Sequence, residues 1–166
     1  ILDAGSHLGA CQIGHGRAEL ATRIAEQVRT LEFIALDAGV SHIYAAELAE
    51  RLSGMVMCDE PVFSFTNSGS ESNELAFKIA RTWHARRGAP ERTKIVSRLG
   101  SYHGSSIAAS AATGVNAFKT GFGPLALDFL QTEPPTRDGF GHREKSNAEE
   151  LSLPRLEALI EAEGPD

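Results

Sequence analysis

Apolar residues recur at helical spacing from the first positions of the chain. In GHGRAELATRIAEQVRTLEF, Leu20, Ile24, Val28 and Leu31 share one face, and Arg23, Glu26 and Arg29 take the other. SHIYAAELAERLSG repeats the pattern with Leu48 and Leu52, and Gly54 supplies a stop. PVFSF, residues 61–65, is aromatic and β-branched and predicts a short strand. A helix is predicted over about 70–86, burying Leu75, Ile79 and Trp83, and RGAP ends it. TKIVS predicts a second strand, and SSIAASAAT a helix of small residues that stops at Gly114. DFLQTEPP predicts a third strand, PPTRDGFGHREKSN a polar surface loop, and LSLPRLEALIEAE a last helix that Ser152 is placed to cap. Strand, helix and strand at this spacing form a βαβ unit, which requires a parallel sheet and a right-handed crossover. The expected class is α/β, a doubly wound core with helices leading into it.

Composition narrows the partners more than the fold. A formal net charge of −6 leaves no basic surplus for phosphate backbones, which argues against a general nucleic-acid binder. A small anionic ligand needs only a local site and stays open. Cys11 and Cys58 lie far apart in no metal-like spacing, so a reducing, cytoplasmic setting with structural thiols is expected. No apolar run approaches a membrane span and no signal sequence opens the chain, so no membrane partner is expected. The chain begins at Ile1 and stops just after a helical stretch, and it is expected to be an internal segment of something longer.

The chemistry is concentrated in FTNSGSESNELAFKIAR, residues 65–81, which runs from an apolar stretch through a polar turn into a helix. In an open α/β sheet, ligands bind beyond the carboxyl ends of the strands, where helices begin. The unpaired N–H groups of a first helical turn and the positive end of the dipole make an anion site there. Gly69 lets the backbone approach a ligand, and the hydroxyls of Ser68 and Ser70 add donors. The local pattern by itself favours a second reading: Ser68 and Glu71 form an S-x-x-E capping box that needs no ligand. SYHG occupies the matching place after the next strand, where Tyr102 and His103 can face the same crevice. An aromatic ring beside a phosphate-binding helix end suits a planar, phosphorylated heteroaromatic ligand. The bland readings are a half-buried tyrosine and a turn histidine bonded to backbone.

GHGRAELATRIAEQ, FTNSGSESNELAFKIAR and KIVSRLGSYHGSSIAASAATG, in that order, resemble the class III aminotransferases, pyridoxal-phosphate enzymes of fold type I. The resemblance covers about residues 2–130 and continues more loosely to the end. Within the family it is nearest the ω-aminotransferases, which move an amino group between an amine and a keto acid such as pyruvate. It implies that residues 61–166 are the first part of the cofactor-binding large domain, with 1–60 a helical lead-in and the small C-terminal domain absent. It implies pyridoxal 5′-phosphate as cofactor, with its phosphate held by Gly69 and Ser70 beside Ser68. Tyr102 would stack on the pyridine ring, His103 would support the ring's surroundings, and Gly104 would leave room for the turn. A homodimer and small amine, amino-acid and keto-acid substrates are implied too. Ser72 stands where many members have alanine, a small-for-small change.

Transamination also needs a lysine for the Schiff base and a carboxylate beside the pyridine nitrogen. Lys78 lies roughly 12 Å along the helix from Ser70. Lys94 begins a strand at the end away from the crevice, and Lys119 and Lys145 fall in loops that match no family motif. Asp128, Asp138 and Asp166 match nothing assignable to the pyridine nitrogen, and Arg98 has no motif that makes it the substrate-carboxylate arginine. The segment is therefore expected to lack the catalytic lysine and to be inactive alone. The alternatives are a non-catalytic fragment that binds the cofactor or a partner, and a sibling activity such as an aminomutase or decarboxylase. A serine hydrolase is excluded because GSYHG puts tyrosine where the nucleophile elbow needs serine, and no P-loop motif occurs. His7, His15 and His42 have no metal-ligand spacing, so no metal is expected.

Overall fold

The computed structural model describes residues 2–35, 39–134 and 148–164, without the side chains of 148–151. The chain divides into two units, Ile1–Phe63 and Ser64–Asp166.

The first unit holds α1 (Ser6–Gly9), α2 (Ala18–Thr30) and α3 (Ile43–Ser53). The α1 turn is left-handed, with φ between 47° and 86° from Ser6 to Gly9. The imidazole Nδ1 of His42 accepts the Tyr44 N–H and so caps α3, a role the sequence pattern does not signal. Gly54 follows α3 with φ −77°, so the helix ends there without the left-handed residue that makes glycine a common stop. The predicted apolar stripe of α2 is real but uncovered: Ile24 and Val28 are each more than half exposed.

The second unit is α4 (Gly69–Arg86), β1 (Ile95–Arg98), α5 (Ile107–Ala112), a 3₁₀ turn at 116–118, β2 (Phe129–Thr132) and α6 (Ala148–Glu163). β1 and β2 pair in parallel, with Ile95 opposite Phe129 and Arg98 opposite Thr132. α5 lies on the crossover between them, so the expected parallel βαβ unit exists, but it is β1–α5–β2. PVFSF is not a strand: residues 61–66 carry no ladder. An extended segment becomes a strand only by pairing, and among the described residues none pairs with it. Ser152 lies inside α6, which starts at Ala148, so it does not cap that helix. Asp138, Lys145, Asp166 and most of the predicted 134–147 loop lie outside the described residues.

The core is built from small side chains. Ala109, Ser110, Ala111, Ala112 and Thr113 are buried with Ser97 and Thr132. Small residues let backbones approach closely, and the turn after β1 is clasped to the end of α5. Gly100 N–H donates to Gly114 O at 3.0 Å, and Gly114 N–H donates to Ser101 O at 2.7 Å. The face of α4 that packs here is not the predicted one. Of the predicted stripe, Leu75 is part-buried but Ile79 is 58% and Trp83 53% exposed, whereas Ser70, Asn73, Glu74, Phe77, Arg81 and His84 are part-buried. Phe77 meets Phe129 edge to face at 5.2 Å, and Arg81 Nε donates to Thr93 O at 2.9 Å. These contacts fix the body of α4 against the start of β2 and the residues leading into β1. Among the described residues no helix is long and apolar enough to cross a membrane.

Candidate active site

α4 starts where Ser68 leaves extended backbone, with φ −154° and ψ 160°. Ser68 Oγ accepts the Glu71 N–H at 3.2 Å, which is one half of the predicted capping box. The other half is displaced by one residue: Glu71 Oε2 accepts the N–H of Asn67 at 2.8 Å, not that of Ser68. Ser72 N–H donates to Ser68 O at 3.0 Å. Within the first turn this leaves the N–H groups of Gly69 and Ser70 without an acceptor among the described residues. The cap and the open amides coexist, so the capping box does not compete with an anion site.

The second turn is bonded directly to this one. Ser105 N–H donates to Ser70 Oγ at 3.0 Å, which leaves the hydroxyl hydrogen of Ser70 for another acceptor. The side-chain amide of Asn73 donates to His103 O. Gly104, at φ +135°, sits against Ser70 so closely that a Cβ there would lie 2.5 Å from Ser70 Oγ. Ser68, Gly69, Ser70, Tyr102, His103 and Gly104 thus lie on two turns tied edge to edge.

Tyr102 and His103 do not share a crevice. Tyr102 is 57% exposed, and its ring meets Phe118 edge to face at 5.2 Å. His103 turns inward: its Nε2 is buried with no hydrogen-bond partner, and the ring borders a cavity of about 260 Å³ with Phe77, Ser97 and Ala112. The His103 N–H is committed to Thr113 Oγ1 at 3.0 Å, which holds this residue against the end of α5. Only Tyr102 therefore offers a ring face outward.

The sequence reading passed over Glu74. Its Oε1 accepts the Ser106 hydroxyl at 2.6 Å, the Ala108 N–H at 3.0 Å and the Ala109 N–H at 3.4 Å. Ser106 makes no cap of its own for α5, so a carboxylate from α4 supplies it. The Ser106 hydrogen bond holds the Glu74 carboxyl below its ordinary range; the Ala108 and Ala109 amides and Lys78 act the same way, and burial opposes them. A depressed carboxyl adds stability that is complete above its unfolded-state pKa and is lost as pH falls through the lower folded value. Thermal scans between neutral and acidic pH should therefore show a shallower loss of Tm for Glu74→Gln than for the wild type. Parallel curves would remove Glu74 from the acid response.

The described lysines have other partners or places. Lys94 Nζ bonds to the backbone oxygen and carboxylate of Glu163, below the start of β1. In the first unit, His15 Nε2 pairs with Asp3 Oδ2 at 2.9 Å, and His7 lies near both in an exposed cluster; His42 is apart, at the start of α3.

The parallel βαβ unit and the open-amide start of α4 tied to the turn after β1 make an α/β architecture with a local place for an anion. The Aminotransferase class-III family matches the chain over residues 1–166, and the chain belongs to that family. It is 44% identical over 134 residues to YhxA of Bacillus subtilis (strain 168), described as an uncharacterized aminotransferase, covering 81% of this chain and 29% of that protein. The crystal structure of a thermostable (S)-enantioselective omega-transaminase from Thermomicrobium roseum superposes with a TM-score of 0.88 at 39% identity, over 98% of this chain and 37% of that one. The omega transaminase from Pseudomonas jessenii in complex with PMP gives 0.88 at 30% identity, over 98% and 36%. The fold is therefore part of the fold type I transaminase architecture. The chain spans about a third of the length of the relatives it matches.

Proposed function

We propose that the protein is a pyridoxal 5′-phosphate-dependent aminotransferase that moves an amino group between an amine or amino acid and a keto acid such as pyruvate. The observation that carries this reading is the pair of open N–H groups of Gly69 and Ser70, held against the Tyr102 turn. Two amides, one free hydroxyl hydrogen and the positive end of an 18-residue helix suit a phosphate dianion. In this reading Gly69 donates through its N–H, and Ser70 through its N–H and hydroxyl. Ser68 shapes the turn as its cap, and Tyr102 presents a ring face for stacking. His103 supports the turn from its inner side, and Gly104 permits the close approach to Ser70. When bound, pyridoxal phosphate supplies the electron sink that bond-breaking at the amine carbon needs.

The same reading places the proton-shuttling lysine and the carboxylate beside the pyridine nitrogen outside residues 1–166. Lys94 is already held by Glu163, and Lys78 projects from the middle of α4. Residues 1–166 alone are then a half-site without turnover. Family membership supports residues 61–166 as the opening part of the cofactor domain, 1–60 as its lead-in, and a homodimeric cytoplasmic enzyme as the whole. Likeness to omega-transaminases favours an amine donor and pyruvate, and paired assays with pyruvate and 2-oxoglutarate as acceptor measure that preference.

Ser70→Ala tests the phosphate site. It should weaken pyridoxal phosphate binding by about 1–3 kcal/mol, the scale for losing a hydrogen bond to a charged group. Binding of pyridoxal, which lacks the phosphate, should change much less, through the lost Ser105 bond alone. Equal affinity of wild type and variant for pyridoxal phosphate would overturn the assignment.

A further inference from the structure

We infer that Glu74 is a positioning residue for the cofactor site: from α4 it clamps the turn carrying Tyr102 onto Ser70 by serving as the internal anion at the start of α5. The inference rests on the phosphate-site reading above and adds a residue to it. Ser70, Asn73 and Glu74 are three and four residues apart, so they project from one face of the first two turns of α4. That face grips the chain after β1 at three successive points. Ser70 Oγ accepts from Ser105, Asn73 donates to His103 O, and Glu74 accepts from Ser106, Ala108 and Ala109. Gly104 fills the space between the first two contacts, with room for nothing larger than hydrogen.

Glu74 brings the most bonds, and it alone brings charge. Its carboxylate meets amides at the α5 start that would otherwise be orphaned. The two helix starts are thereby made unlike. That of α5 is occupied by a carboxylate of the chain itself, and that of α4 keeps two amides open. Of these two starts, that of α4 is the one left open to a phosphate. Without the clamp, the described contacts that hold the 102–106 turn to α4 are those of Ser70 and Asn73, and the turn carrying Tyr102 is less firmly placed beside the phosphate turn.

The test uses the full-length protein with Glu74→Ala, Glu74→Gln and Glu74→Asp. The readouts are the Kd for pyridoxal phosphate, the circular dichroism of the bound cofactor's absorption band, and the Tm of the apoprotein. Glu74→Ala should raise Kd about tenfold or more, the scale of a lost charged hydrogen bond, and flatten the cofactor band. Glu74→Gln keeps an oxygen at the same reach and should recover most of both. Glu74→Asp keeps the charge but withdraws it by one methylene, and should raise Kd several-fold; it carries the test if the alanine variant does not fold. A merely structural Glu74 would lower Tm and leave Kd and the band unchanged, and that result in a folded Ala or Asp variant overturns the inference. If Ser70→Ala weakens binding while the Glu74 variants do not, the clamp fails and the phosphate site stands. If Ser70→Ala has no effect, the site itself fails.

Discussion

Gly114→Ala should cost the protein about 3 kcal/mol or more, beyond the usual 1–3 kcal/mol of an overpacked position. A Cβ at residue 114 would lie 2.2 Å from Arg98 O, 2.7 Å from Leu99 Cα and 2.9 Å from Arg98 C. All three are backbone atoms, so no flexible side-chain tip can retreat. The same strand end and turn hold both hydrogen bonds of the clasp, through Gly100 and Ser101. Moving Arg98 outward also pulls on its place opposite Thr132 at the end of the ladder. Urea unfolding of wild type and variant measures the loss. A midpoint unchanged within error would mean that the two segments are not in contact as described.

Gly104→Ala should strike binding hardest, lowering pyridoxal phosphate affinity at least as much as Ser70→Ala does. Its Cβ would meet Ser70 Oγ at 2.5 Å, Ala109 Cβ at 2.9 Å and Ser70 Cα at 3.0 Å. The Ser70 hydroxyl alone can rotate away, but doing so breaks its bond from Ser105 and moves the donor meant for phosphate. The backbone adds its own penalty, because φ +135° costs a residue with a Cβ about 1–3 kcal/mol. Two outcomes separate these causes in a folded variant. Loss of pyridoxal phosphate affinity with pyridoxal affinity kept places the damage at Ser70. Equal loss of both places it in the Tyr102 turn. Wild-type affinity for both ligands would contradict the close packing of the two turns.

Much of this was legible in the sequence where local chemistry decides the structure. The 68–71 cap, the span of α4, the strand at Ile95–Arg98 and the small-residue α5 all follow from residues close in sequence. Partnership was less legible. PVFSF has strand-forming residues, but strand identity depends on a neighbour, and the described residues provide none. The stripe of Leu75, Ile79 and Trp83 was a sound amphipathic reading, since periodicity marks residues that avoid water. It does not say which face meets which neighbour, and here the inward face of α4 is largely polar. Glu74 was hidden for that reason. In sequence it is one more acid in a helix, and its weight comes from amides over thirty positions later. Gly104 and Ser70 could be assigned by resemblance, but their contact is a property of the fold alone.

The register of the sheet also sets an order of events. Ile95 pairs with Phe129, and every hydrogen bond of that parallel ladder joins residues separated by the whole α5 crossover. Closing such a loop precedes any reward from the contacts it brings, which slows folding relative to helices that close locally. During synthesis, at about 5–20 residues per second, β1 emerges seconds before the strand that covers its edge. For that interval an unpaired Ile95–Arg98 edge stands open to other chains. Slower translation between residues 98 and 129 would lengthen that interval.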